Sequence, residues 1–261
     1  MMTKIGLIGY GAIGKGVADH IAAGKIPNVT IGAVLRQSGE RGDIPNDIVV
    51  SDSMDSFLAA KPNLVLEAAG FDAARSHALA VLEAGIPLIL MSISILTDDR
   101  VRTSLEEAAI KAGTKLLVPS GALAGIDGVT AARFETIETL TITQKKPPAA
   151  LLSQDEAAGV TTPRILDELS AREAGQRFPK NANIAAGAGL AAGRPDETLV
   201  RIVADPGVTR NTAELLAEGS FGRISVTIEN EPTENKRTSR MAILSALSAI
   251  ARQTQPIVYG A

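Results

Sequence analysis

The chain of 261 residues contains no cysteine. Disulfides, thiolate metal sites and a cysteine nucleophile are therefore excluded. Histidine is scarce as well, with only His20 and His77. His is the side chain whose ordinary pKa lies nearest neutrality, so acid–base chemistry has few places to go here. Neither His is placed for a Ser-His-Asp arrangement. Tryptophan is absent, and only 2 Tyr and 5 Phe are present, which leaves little for stacking nucleobases. The net charge is −3, too small for a field that would draw in nucleic acid or an anionic membrane. No apolar run approaches the roughly 18 residues of a membrane span. Met1-Met2-Thr3-Lys4 lacks the basic and apolar regions of a secretory signal. The expectation is a cytoplasmic protein without nucleic-acid or membrane partners and without a metal.

What is present is an ordinary globular composition, 45% hydrophobic and 21% charged, enough for one large or two smaller domains. Up to Val118 the sequence alternates short apolar runs with helical patterns. Strands are predicted at Lys4–Gly9, Val29–Leu35, Val49-Val50, Leu64–Ala68, Pro87–Met91 and Lys115–Val118. Helices are predicted at Ala12–Ala23, Asp55–Ala60, Ala73–Ala84 and Asp99–Ala112. The strands are apolar throughout, as in Leu64-Val65-Leu66, which suits a sheet covered on both faces. Strand–helix alternation with short connections predicts a doubly wound parallel sheet of the Rossmann kind.

The pattern changes after Gly121. A helix is expected at Gly125–Phe134, and Glu138–Lys145 alternates as a half-buried antiparallel strand does. Helical stretches follow at about Pro163–Gly175 and Asn183–Ala192, with strands at Leu199–Ala204 and Phe221–Glu229. Lys145–Pro148 and Glu229–Asn235 read as loops. Arg237–Arg252 is an amphipathic helix with Met241, Leu244, Leu247 and Ala251 on one face. The fold class is thus α/β, with an N-terminal Rossmann domain over 1–121 and a second α+β domain of roughly three strands over 122–236. The C-terminal helix, 237–261, is expected to pack back on the first domain.

Gly9-Tyr10-Gly11-Ala12-Ile13-Gly14 matches G-x-G-x-x-G between a predicted strand and a predicted helix, the context a dinucleotide turn requires. Gly9 permits the tight turn, Gly11 lets the backbone approach a pyrophosphate, and Gly14 lets the helix pack closely. The helix N-terminus then offers free N–H groups, including those of Ala12 and Ile13, to the phosphates. NAD-selective turns place a carboxylate at the end of the second strand. Here Val34-Leu35-Arg36-Gln37-Ser38 offers none, and Arg36, with Ser38 and Arg41 nearby, suits a 2′-phosphate. NADP is expected to serve at least as well as NAD. Glu67-Ala68-Ala69-Gly70 and Met91-Ser92-Ile93-Ser94 end the fourth and fifth strands, where ligands bind. Ala69 and Ser92 are small enough to leave room for ribose and nicotinamide. Glu67 could serve there or act as a helix-start carboxylate.

Several segments together resemble the L-aspartate dehydrogenase family. They are Lys4–Gly14, Ser120-Gly121-Ala122-Leu123-Ala124-Gly125-Ile126-Asp127-Gly128, Lys146-Pro147-Pro148-Ala149, Phe178–Ala186, and Ala204-Asp205-Pro206 followed by Asn211-Thr212. The resemblance implies NAD- or NADP-dependent oxidation of L-aspartate to iminosuccinate, which hydrolyses to oxaloacetate and ammonia. It also implies a homodimer, and cofactor contacts from Ala122, Ala124 and Asn183. Asn183 has both donor and acceptor capacity, and could alternatively cap the Ala-rich helix after it. A dicarboxylate or its imine needs cations, for which Lys145, Lys146, Lys180, Arg210 and Lys236 are candidates. Lys146 and Lys180 lie inside family-like segments and are singled out, with Asn183, for substrate.

Two departures stand out. The family's catalytic His belongs to an Asn-x-His-Glu pattern, and here Asn211-Thr212-Ala213-Glu214 puts Ala213 in its place. Ser94-Ile95 replaces the family's usual Gly-Ala. The readings that follow are an aspartate dehydrogenase with impaired or altered chemistry, a reductase of another imine or carbonyl on the same scaffold, or a nucleotide-binding homologue without catalysis.

Overall fold

Six short apolar segments of the first half line up as the six parallel strands of one sheet. They are β1 (Thr3–Ile8), β2 (Val29–Leu35), β3 (Val49–Ser51), β4 (Leu64–Glu67), β5 (Leu88–Leu90) and β6 (Leu116–Leu117). The structure is a computed structural model that describes residues 2–180, 182–234 and 238–259. The strand order is β3-β2-β1-β4-β5-β6. It reverses between β1 and β4, so the carboxyl ends of those two strands form the switch point where such sheets receive ligands.

Helices α1 (Ala12–Ala22), α2 (Met54–Ala59), α3 (Phe71–Glu83) and α4 (Asp99–Ala112) alternate with these strands. Local chemistry sets their ends. The Asp98 carboxylate accepts from the N–H groups of Arg100 and Val101 at the start of α4, and Gly113 closes that helix in the left-handed region at φ 65°. Ser53 caps α2 by accepting from the N–H of Ser56.

The second unit carries a five-stranded sheet in the order β11-β10-β7-β9-β8. Its elements are α5 (Ile126–Ala132), β7 (Ile137–Lys146), α6 (Gln154–Ala158), β8 (Arg164–Ser170), α7 (Ala171–Arg177), α8 (Asn183–Ala191), β9 (Leu199–Ala204), β10 (Asn211–Gly219) and β11 (Gly222–Asn230). β7 pairs antiparallel with β10 and parallel with β9. Leu140, Ile142, Ala213, Leu215 and Ala217 on one face of the sheet pack with Val129 of α5 and Ala188 of α8. Further along the sheet, Leu169 and Val200 pack with Ala174 of α7 and Ala185 of α8.

The last helix, α9 (Arg240–Thr254), sends Ile243, Ala246, Leu247 and Ile250 into the core of the first unit beside Val17, Ile21 and Ile31. A Cβ added to Gly16 on α1 would fall 2.6 Å from Ile243 Cδ1, so the glycine sets how closely the two helices approach. The chain accordingly divides into one compact unit running up to Pro119 and resuming at Ala242, and another, Ser120–Met241. Arg237, where the sequence places the start of this helix, lies outside the described residues. Among the described residues no helix is long and apolar enough to cross a membrane.

Three local expectations are corrected. The helix expected over Pro163–Gly175 is a strand as far as Ser170 and a helix only from Ala171. Ser170 and Glu173 form a capping box that starts α7, and the residues before it satisfy their backbone by pairing with β9. Among the described residues the second unit has a sheet of five strands instead of three. Asn211–Gly219, rich in Ala, Leu and Glu, has helix-forming composition but is held between β7 and β11 by two ladders. Lastly, Lys145 and Lys146 are no loop: they end β7.

Candidate active site

The Gly-rich turn joins β1 to α1. Gly9 has φ +93°, and a Cβ there would lie 2.7 Å from Cα of Ala69. Gly14 is equally constrained, since a Cβ would meet the Gly9 carbonyl oxygen at 2.3 Å. Gly11 differs. A Cβ on it would meet nothing within 4 Å, so no packing within the protein demands a glycine. Gly11 is also the N-cap of α1, with no side chain capping it, and the N–H groups of the first turn, among them those of Ala12 and Ile13, have no partner inside the helix. Clear ground above unshared N–H groups is the shape and polarity a pyrophosphate needs.

Ala69 and Ser92 stand at the ends of the neighbouring strands, and Glu67 ties them together. Glu67 is fully buried. Its Oε1 accepts from the N–H of Ala69 at 2.9 Å, the N–H of Gly70 at 2.9 Å and the hydroxyl of Ser92 at 3.1 Å. Its Oε2 accepts from the N–H of Ser92 at 3.0 Å. Burial pushes the Glu67 carboxyl above its ordinary value, and those four donors pull it back. The helix-start reading of Glu67 holds, since it caps the N-terminus of α3 through Gly70, and the same carboxylate also fixes the turn after β5. The Ser92 side chain is committed inward to Glu67.

At the end of β2, Arg36 is half-buried and its Nη1 donates to the carbonyls of Glu40 and Arg41 at 3.1 and 3.4 Å. Its Nε and Nη2 make no hydrogen bond among the described residues. Arg41 instead spends its guanidinium on the carbonyls of Pro45 and Ile48, and Ser38 is exposed, accepting from the N–H of Glu40.

Ala122, Ala124 and Asn183 belong to the second unit. The buried Asn230 at the end of β11 donates to the Ala122 carbonyl at 3.1 Å, which pins the segment before α5. Asn183 is the first residue of α8, half-buried, and is not its cap: Ala182 holds that position with no side-chain bond.

The five cations have separate fates. Lys145 pairs with Glu214 at 2.6 Å and Arg210 with Glu231 at 2.7 Å. Lys180 is exposed on the turn before α8, and Lys236 lies outside the described residues. Lys146 alone among these lines a cavity of about 320 Å³ within the second unit. Its walls are otherwise mostly apolar, from Leu169, Phe178, Val200 and Ile202, with Gln144 and Asp167 as polar points. Lys146 makes no ion pair or side-chain hydrogen bond among the described residues, and burial holds its ammonium pKa below the ordinary lysine value. Size, apolar walls and a few polar groups suit a small organic ligand. Gln144 and the cavity went unforeseen because they depend on β8 and β9 lying beside β7, which no local pattern encodes.

Ala213 is 3% exposed in the middle of the sheet, opposite Gln144 on β7. His20 is on α1, its Nδ1 bonded to the Gly16 carbonyl at 2.7 Å, and His77 is on α3. Both belong to the first unit, so neither stands on the strands around Ala213.

A six-stranded parallel sheet with a cleared Gly-rich turn defines the class, a two-domain nicotinamide-dinucleotide oxidoreductase, and comparison with known proteins agrees. Residues 9–119 match the family model described as homoserine dehydrogenase, NAD binding domain. Residues 127–253 match the one described as aspartate dehydrogenase, C-terminal. The chain is 36% identical over 250 residues to L-aspartate dehydrogenase 1 of Bordetella parapertussis, covering 95% of each. It is 37% identical over 264 residues to L-aspartate dehydrogenase of Brucella anthropi, covering 97% of each. The chain belongs to the aspartate dehydrogenase family. In fold it resembles the crystal structure of aspartate dehydrogenase from Thermotoga maritima, with TM-score 0.81 and 24% identity over 99% of both chains. It also resembles a hyperthermophilic archaeal homoserine dehydrogenase in complex with NADPH, with TM-score 0.67 and 12% identity over 98% of this chain and 99% of that one.

Proposed function

We propose that this chain is an NAD(P)-dependent dehydrogenase that interconverts L-aspartate with iminosuccinate, and so with oxaloacetate and ammonia. The observation that carries the reading is Lys146, a half-buried amine without an ion-pair partner among the described residues, in a cavity of a size for a four-carbon dicarboxylate. In the first unit, Gly11 keeps the ground above the α1 N-terminus clear.

Gly9, Gly11, Ala12, Ile13 and Gly14 would hold the pyrophosphate, and Arg36 the 2′-phosphate of NADP. Ala69 and Ser92, fixed by Glu67, would border the ribose and nicotinamide; Ala122, Ala124 and Asn183 are the cofactor contacts that the family resemblance implies for the second unit. The bound nicotinamide supplies the hydride acceptor or donor. For substrate, Lys180 offers positive charge, Lys146 a half-buried amine lining the cavity, and Asn183 an amide that can both donate and accept. Ala213 cannot transfer a proton, and loss of a general acid or base costs about 10²–10⁴-fold in rate, so the family's His-based chemistry is altered here. The family resemblance also supports a homodimer, which sedimentation equilibrium checks.

The test follows the loss of reduced-nicotinamide absorbance with NADPH or NADH, oxaloacetate and ammonium. Oxidation of cofactor that requires both oxaloacetate and ammonium is the expected result. Tight NADPH binding with no turnover of this pair would move the assignment to another imine or carbonyl substrate, or to a binding protein without catalysis.

A further inference from the structure

Ala213 removes the family's proton carrier, yet the strands on which it lies keep a replacement within reach. In the β10–β7 ladder Ala213 is opposite Gln144, and Thr212 opposite Lys145, with no bulge at either pair. Directly opposed residues share a face, and residues two apart on a strand do too. Gln144 and Lys146 therefore point to the Ala213 side of the sheet, and both line the cavity. Lys146 is the diagonal neighbour of position 213, roughly 7–8 Å away by strand geometry, on a flexible four-carbon stem. The other cation of this strand end, Lys145, points to the opposite face and is paired with Glu214.

We infer that the Lys146 ε-amine is the group that exchanges a proton with the substrate nitrogen in this chain. The inference rests on the aspartate dehydrogenase reading above. In the oxidative direction the neutral amine takes one proton from the substrate α-ammonium. The Cα–H bond then breaks, its electron pair leaving with the hydrogen as hydride to the oxidised nicotinamide. The nitrogen lone pair closes the C=N bond, so the substrate is oxidised by two electrons and leaves as a protonated imine. Water adds to that carbon, ammonium departs, and oxaloacetate remains. The proton on Lys146 passes to solvent, which balances the reaction.

The surroundings suit an amine that must be neutral part of the time. Asp167 on β8 is the one carboxylate lining the cavity among the described residues, and it is paired with Arg177 of α7 at 3.3 Å. On β9's side, Asp205 donates its N–H to the Lys146 carbonyl, while its carboxylate accepts from the Gly207 N–H. Glu214 is held by Lys145. Among the described residues no carboxylate is bonded to Lys146 to fix it as a cation, and burial disfavours the charged form.

The experiment measures L-aspartate oxidation with NADP⁺ and NAD⁺ across pH for the wild type, Lys146→Met, Ala213→His and the double variant, with NADPH binding followed separately. Lys146→Met should lower kcat by about 10²–10⁴-fold with KM for aspartate nearly unchanged. The double variant should recover most of that loss, because an imidazole at position 213 makes the lysine dispensable. Should the His variants fail to fold, Lys146→Ala supplemented with ethylamine takes their place, and activity should rise with amine concentration. A raised KM with unchanged kcat would make Lys146 a carboxylate anchor and overturn the inference. So would a kcat loss that neither the second-site His nor ethylamine repairs. A wild type that binds NADPH but turns over neither aspartate nor oxaloacetate with ammonium would remove the underlying function, and this inference with it.

Discussion

Ala213 on β10 stands directly opposite Gln144 on β7, and the two share the buried face of the second sheet at 3% and 7% exposure. Position 213 is therefore a closely packed site whose nearest cross-strand neighbour borders the cavity. A side chain placed there would have to work against Gln144 and within reach of Lys146.

Ala213→His is expected to raise the rate at neutral pH by about 10²-fold. The gain should shrink as pH rises, because Lys146 is increasingly neutral there and already able to accept a proton. A gain independent of pH would separate the two groups functionally. Thermal unfolding of the same variant reads the strain of fitting an imidazole where a methyl is packed, about 1–3 kcal/mol for such overpacking.

Gly9 and Gly11 should respond oppositely to substitution. Gly9→Ala forces a non-glycine residue to φ +93° and into Ala69, so the protein itself should lose about 1–3 kcal/mol of stability. Gly11→Val meets open space at its Cβ, so melting should shift little. Its NADPH Kd should nevertheless rise tenfold or more, equivalent to about 1.4 kcal/mol. Equal effects of the two on melting would show that Gly11 is kept for packing and not for a ligand.

Arg36→Ala should weaken NADPH more than NADH. A hydrogen bond to a charged group contributes about 1.5–3 kcal/mol, so a tenfold to hundredfold fall in NADPH affinity is expected. Arg36 also holds the carbonyls of Glu40 and Arg41, and loosening that loop would weaken both cofactors. The ratio of the two Kd values isolates the contribution of the 2′-phosphate.

Glu67→Gln should destabilise the switch point without touching a ligand directly. The carboxylate accepts from three N–H groups and one hydroxyl. An amide NH2 in place of one oxygen leaves a buried donor facing a donor, at about 1–3 kcal/mol for each group left unsatisfied. Lowered melting with weaker NADPH binding is the expected pair of results. Unchanged binding would show that the Ala69 and Ser92 turns hold their positions without Glu67.

Lys146→Met should change how stability depends on pH. Burial lowers the folded-state pKa of Lys146 below its unfolded value. A base shifted in this direction favours the folded state most above its unfolded pKa, and that contribution is lost as pH falls through the folded value. Replacing it with an apolar side chain should therefore stabilise the protein at neutral pH. The advantage should fade as pH rises toward the ordinary lysine range. Urea unfolding at several pH values measures the difference.

Much of this protein follows from short-range signals in its sequence. The Gly-rich turn, the apolar strands around it and the α4 helix between Asp98 and Gly113 are local matters, fixed by φ preferences, caps and the covering of a sheet on both faces. Lys146 and the position of Ala213 are marked by the family resemblance and not by such local signals. Tertiary structure decided what those residues face. Asn211–Gly219 has the composition of a helix and becomes β10 because two neighbouring strands take up its backbone hydrogen bonds. Lys146 leaves its expected loop for a strand end because β7 continues its pairing with β9 to Ala204, which points the side chain into a cavity walled by β8, β9 and α7. Glu67 becomes the buried tie between two turns only once β4 and β5 lie side by side. Cross-strand contacts join residues far apart in the chain, and their register depends on which strand finally lies alongside, which a run of neighbouring residues does not specify.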